Sequence, residues 1–133
     1  MNGPTAARLT CEPVKVLALR GATTCDADTK EEVDSKTQRL VEEMLERNAI
    51  GHDDLVSIIF TATDDITAEF PATAARALGL GDVPLLCARE LGIDHGMPLA
   101  IRVMMHFYGD QPRNDLHHVY LERARSLRDD LPA

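Results

Sequence analysis

Little in this chain points to a membrane, a nucleic acid or an oxidising compartment. Its 133 residues hold no stretch near the ~20 consecutive apolar residues that span a bilayer. Positive charge is in deficit, with 14 Lys+Arg against 22 Asp+Glu and a net charge of −8. That balance argues against nucleic acid or an anionic membrane surface as partner. Cysteine is scarce: Cys11, Cys25 and Cys87 are odd in number and lack metal-type spacing, so they read as reduced thiols of a cytoplasmic protein. The opening "MNGPTAARLTCEPVK" has no apolar h-region of a secretory signal. Repeats and low-complexity blocks are absent. Lysine is missing from residue 67 onward, where seven arginines occur. Codon bias accounts for that, or a need for planar, permanently charged forks that grip carboxylates. What is present, 44% hydrophobic and 27% charged residues, suits one domain with one core.

Periodicity divides the chain. Residues 1–13, with Gly3, Pro4 and Pro13, read as a loose tail before a domain over 14–133. "VKVLALR" (14–20) alternates as a strand, placing Val14, Val16, Ala18 and Arg20 on one face, and "GATTCDAD" breaks it. Thr29 and Glu32 fit a capping box opening a helix. Its stripe is Val33, Thr37, Leu40, Val41, Met44 and Leu45, and Gly51 stops it. Seven acids between residues 28 and 46 lie mostly off that stripe as a solvated face. "LVSIIFTAT" (55–63) is a second strand, with Val56, Ile58, Phe60 and Ala62 on one side. Residues 70–81 read as a helix entered through Pro71 and ended by Gly79. "VPLLCA" (83–88), "LAIRVMMHFY" (99–108) and "HHVYLERA" (117–124) read as three further strands. The order β-α-β-α-β-β-β predicts an α/β (α+β) fold: a mixed sheet of about five strands with two main helices on one face. The uncovered face predicts a symmetric oligomer.

Charge inside the strands is the second signal. Arg102 shares its strand face with Ala100, Met104, His106 and Tyr108, and an unpaired charge buried there costs several kcal/mol or more. Arg20 closes another apolar strand. Tyr120 faces away from Val119 and Leu121, and Glu90 follows the strand that holds Cys87. Two arginines, a phenol and a carboxylate make a pocket for a small hydroxylated dicarboxylate. An internal Arg–Glu pair, or an arginine at a subunit interface, explains the same pattern. His106, His117 and His118 lack chelating spacing, so no metal is expected.

The blocks "LALRGATTCDADT", "FTATDDITAEFPATAAR", "VPLLCARELG", "IRVMM" and "HVYLERARSLR" resemble, in order and spacing, those of the AroH-type monofunctional chorismate mutases, from about Val14 to Asp130. The resemblance implies a homotrimeric pseudo-barrel with a site at each subunit interface. It implies isomerisation of chorismate to prephenate in phenylalanine and tyrosine biosynthesis, with no metal, cofactor or covalent intermediate. By the same resemblance Arg102 donates to the substrate's ether oxygen and side-chain carboxylate. Arg20 and Tyr120 bind the enolpyruvyl carboxylate. Glu90, helped by the backbone of Cys87, accepts from the ring hydroxyl. Phe70, Ala72, Thr73 and Arg76 match positions that approach from the neighbouring subunit. Leu127 and Arg128 match the segment closing the mouth, with Arg76 and Arg128 steering a dianion inward.

Two features depart from the family pattern. Thr73 stands where family members often carry a lysine; losing that cation weakens binding, or Arg89 or Arg76 compensates. The loop "GIDHGMPLA" lacks the glycine- and lysine-rich character of the family, and its Asp94 and His95 receive no role. Two other readings remain. One is a non-catalytic dicarboxylate-binding or sensor module. The other is a Rid-type imine hydrolase, which "RGATT" and "HVYLE" fit poorly.

Overall fold

Alternation along the strands sorts one sheet into a face packed by helices and a face left open. The computed structural model describes the backbone of residues 14–130 and the side chains of residues 14–127; the tail expected at 1–13 lies outside the described residues. The elements are β1 (Lys15–Thr24), α1 (Lys30–Arg47), β2 (Leu55–Ala62), α2 (Pro71–Ala75), β3 (Leu85–Arg89), β4 (Ala100–Gly109) and β5 (Val119–Tyr120). The strands form one sheet in the order β3-β2-β4-β1-β5. β4 runs antiparallel to both β1 and β2, while β3 and β5 add parallel edges. The sheet is therefore mixed, as the sequence predicts.

The helix-packed face holds the main core. Leu19, Ile58, Phe60, Val103, Met105 and Phe107 meet Leu40, Val41 and Met44 of α1, with Ala72 and Ala75 of α2. Cys25, Val33, Ala62, Ile66 and Ile101 form a smaller cluster beside it. Fully burying a large apolar side chain contributes roughly 1.5–3 kcal/mol. The stripe Val33, Thr37, Leu40, Val41 and Met44, all buried, thus docks α1 more strongly than helix propensity does.

Several boundaries differ from the sequence reading, each for a local reason. β1 does not break at "GATT" but runs through it. Gly21 is buried, and a Cβ there would lie 2.5 Å from Met44 Sδ, so this glycine admits α1 rather than turning the chain. The capping box is half formed: Thr29 Oγ1 accepts from the Glu32 N–H at 3.1 Å, while Glu32 Oε1 accepts from the Asp26 N–H at 2.7 Å. α1 stops before Gly51, at Asn48, followed by Ala49 with φ 52°. A bulge between Leu55 and Ser57 takes Val56 out of the pairing with β4. α2 is a short turn entered at Pro71 that widens into a π-turn (Arg76–Leu80), where Gly79 has φ 88°. β3 is set later than residues 83–88. The last strand keeps two residues before Glu122, at φ 53°, starts the 3₁₀ segment Glu122–Asp130.

Candidate active site

The site residues fall on the open face because of the register. Thr61 of β2 pairs with Ala88 of β3 and with Arg102 of β4; Arg102 pairs with Ala22 of β1, and Ala22 with Tyr120 of β5. One row of side chains thus crosses all five strands. The adjacent row runs Leu86, Ile59, Met104, Arg20. A cavity of about 230 Å³ sits over these two rows, lined by Arg20, Ala22, Ile59, Thr61, Arg102 and Tyr120 among others.

Arg102 meets an acid. Its Nε donates to Glu90 Oε1 and Oε2, each at 3.1 Å, and Thr61 Oγ1 donates to Glu90 Oε2 at 3.1 Å. The Arg–Glu pair that the sequence left as one alternative therefore exists. It does not bury the cation, since the Arg102 side chain keeps 46% of its exposure and Glu90 16%. A pair open to water contributes about 0–1 kcal/mol at most, so its consequence is orientation more than stability. Among the described residues the Arg102 side chain hydrogen-bonds through Nε alone, which leaves its Nη donors for a ligand. Arg102 also borders a second cavity of about 470 Å³, under the loop that contains Leu91, Ile93 and Met97.

Arg20 and Tyr120 border the same 230 Å³ cavity as Arg102. The Arg20 N–H donates to Nδ1 of His118 at 2.9 Å. Burial, and then the positive charge of Arg20, hold the His118 imidazole below its ordinary 6.5. Among the described residues no carboxylate forms an ion pair with Arg20. A carboxylate ligand would meet two guanidinium groups with Glu90 tied to only one of them.

The remaining expected residues lie elsewhere on this chain. Phe70 is 67% exposed and lines a cavity of about 460 Å³ with Cys87, Glu69 and Arg89. Cys87 is half-buried and packs against the main core. Ala72 is buried in its own core. Thr73 Oγ1 donates to Glu69 Oε1 at 3.3 Å, and Arg76 is exposed. Arg89 donates to the Thr63 and Ile66 carbonyls through one nitrogen and borders the same cavity as Phe70. Leu127 is half-buried in the 3₁₀ segment, and the Arg128 side chain lies outside the described residues.

Several residues that shape the site carried no signal in the periodicity. Thr61 reads as an ordinary strand threonine until its hydroxyl is seen on Glu90. Asp28 accepts from the Thr67 N–H and hydroxyl and from the Ala68 N–H, pinning the loop before Phe70. Those hydrogen bonds, led by the Thr67 hydroxyl, hold its carboxyl below the ordinary 3.8. Arg123 donates to the Cys25 and Pro98 carbonyls and so ties the start of the C-terminal segment to the end of β1 and the entry to β4. Cys25 is a core residue: burial, aided by the charge of Glu32, pushes its thiol up to about 11.

This chain is similar to known proteins. A family profile described as chorismate mutase type I matches residues 16–131. A chorismate mutase AroH of Thermus thermophilus is 44% identical over 117 residues, 87% of this chain and 96% of the relative. A chorismate mutase AroH of Bacillus subtilis is 42% identical over 117 residues, 87% of this chain and 92% of the relative. Among solved structures, a chorismate mutase from Clostridium thermocellum superposes with a TM-score of 0.81 at 44% identity, covering 83% of this chain and 98% of the other. With the profile spanning every strand of the sheet and both flanks of the Arg20–Arg102–Tyr120 cavity, this chain belongs to the type I chorismate mutase family.

Proposed function

We infer that this chain isomerises chorismate to prephenate for aromatic amino acid biosynthesis, and that the open-face cavity is where it does so. The observation that carries the reading is the Arg102 guanidinium, fixed through Nε by Glu90 and bordering one small cavity with Arg20 and Tyr120. The rearrangement is concerted. One C–O bond breaks and one C–C bond forms within a single molecule, and no proton, electron or group leaves. A nucleophile or base has nothing to do. Because the substrate is one molecule, the protein gains nothing by bringing reactants together; it selects the compact conformer in which the bonding carbons meet. It also stabilises the negative charge that grows on the ether oxygen.

The residues divide these tasks by their chemistry. Arg102 Nη donors take the ether oxygen and the side-chain carboxylate. Glu90 accepts from the ring hydroxyl, assisted by the Cys87 backbone. Arg20 and Tyr120 hold the enolpyruvyl carboxylate. A guanidinium already clamped by Glu90 needs little reorganisation as charge develops, which is where such donors act most strongly.

The active assembly in this reading is a homotrimer. In the single chain Val16, Leu86, Tyr108 and Phe70 remain exposed, and the first three belong to strands of the open sheet face. Phe70, Ala72, Thr73 and Arg76 then approach a neighbour's cavity, and Leu127 and Arg128 close its mouth. The domain is taken as residues 14–133 with the tail at 1–13, and no metal or cofactor enters the reaction. The free thiols Cys25 and Cys87 suit the cytoplasm.

The test compares chorismate consumption by the wild type and by Arg102→Ala. Loss of one such donor typically costs about 2.7–4 kcal/mol, so kcat is expected to fall at least ~100-fold with the circular dichroism spectrum unchanged. A folded variant with near-normal kcat would remove Arg102 from the mechanism.

A further inference from the structure

The parallel edge strand β5 is only two residues long, pairing Val119 with Gly21 and Tyr120 with Ala22. One step earlier in that register, His118 stands opposite Arg20. There the backbone ladder gives way to a side chain, and His118 Nδ1 accepts the Arg20 N–H at 2.9 Å. The residue before it, His117, is held through its backbone. Asn48, 6% exposed at the end of α1, accepts the His117 N–H at 2.7 Å through Oδ1. Its Nδ2 donates to the carbonyls of His117 and Met44, both at 2.9 Å. An unbroken chain of contacts thus runs from the end of α1 through Asn48, His117 and His118 to the backbone of Arg20.

We propose that His118 is a positioning residue for the carboxylate-binding end of the site: its neutral imidazole, accepting at Nδ1, sets the backbone from which the Arg20 guanidinium enters the cavity. The inference rests on the reading of that cavity as the substrate site. An N–H pointed at Nδ1 needs a lone pair there, so the ring carries its single proton on Nε2. The charged group bearing on the imidazole is Arg20 of β1, and α1 contributes only the uncharged Asn48 amide to the adjoining backbone. A second cation at this point would stand against the guanidinium, which agrees with burial and the charge of Arg20 both favouring the neutral ring. Arg20 is assigned to ground-state capture of a carboxylate, so displacing it weakens substrate binding more than it slows bond rearrangement.

Two substitutions separate this role from a merely structural one. Asn at 118 retains an oxygen close to the place of Nδ1; Leu has similar bulk and no acceptor. His118→Leu is expected to raise KM for chorismate about five- to tenfold, the worth of one hydrogen bond, with kcat changed less than about twofold. His118→Asn is expected to stay near the wild-type KM. In ¹⁵N spectra of the ligand-free wild type, the His118 ring should be the Nε2–H tautomer. The Arg20 amide proton should move upfield in His118→Leu and hold its place in His118→Asn. An unchanged KM in folded His118→Leu, equal losses in both variants, or an Nδ1–H tautomer would overturn the proposal. The spectra need no turnover, and the tautomer reading needs no variant. An inactive wild type with the expected tautomer and amide shifts would therefore fault the substrate assignment while leaving the contact to Arg20 standing.

Discussion

Arg102 and Arg20 lie on the same open face, with Glu90 beside only one of them. Alternation along β4 separated Ala100, Arg102, Met104 and His106 from Ile101, Val103, Met105 and Phe107, and the structure buries the second set and leaves Arg102 exposed. It could not decide between a ligand-waiting charge and an internal ion pair. The structure has the pair and also leaves the Nη donors open, so the two readings describe different nitrogens of one side chain. His118 was the less legible residue: a histidine beside another histidine carries no spacing signal, and its contact with Arg20 spans 98 positions. It also gives a signed expectation for pH. The folded protein holds this imidazole below 6.5, so the unfolded chain takes up its proton first as the solution is acidified. The stability due to neutral His118 is whole above pH 6.5 and is lost as pH falls from there through the folded value. Urea midpoints measured across that range should decline with acidification in the wild type and decline less in His118→Asn. Parallel profiles would contradict the assignment.

Among the elements, β1 best separates what patterning reveals from what packing decides. Alternation located its apolar start, and the run "GATT" looked like a stop because glycine weakens an isolated strand. The strand continues because Gly21 lies under α1, where a Cβ would come within 2.5 Å of Met44 Sδ and 3.1 Å of Leu40 Cδ1. Gly21→Ala is therefore expected to destabilise the fold by about 1–3 kcal/mol, the usual range for overpacking a core, as read from chemical denaturation. A change below about 0.5 kcal/mol, the scale of an ordinary surface substitution, would mean that Met44 moves aside without cost. The end of α1 shows the same limit. Gly51 was the visible stop, yet Asn48 ends the helix because its buried amide satisfies the backbone of a segment 69 residues away. At β5 the apolar pattern was real and its length was not: Leu121 and Ala124 are buried, but Leu121 lies just past the strand and Ala124 in a 3₁₀ segment tied down through Arg123.

For the molecule as a whole, the sequence conveyed the mixed five-stranded sheet, the helices on one face and the need to cover the other. The covering partner was not legible in periodicity, which reports only that a face is apolar; the trimer came from the resemblance. The single chain leaves Phe70 on one side of the sheet edge and the Arg20–Arg102–Tyr120 cavity on the open face, so a complete site in this account needs a neighbour. Light scattering on the eluting protein should give about three times the 14.6 kDa chain mass at assay concentrations; an active monomer would contradict shared sites. The most direct measurement is chorismate consumption by the purified wild-type protein in chelator, with no added cofactor and with the product identified. Quantitative conversion to prephenate is expected, at a rate the chelator does not alter. Chorismate that binds to the folded trimer and is recovered unchanged would contradict it.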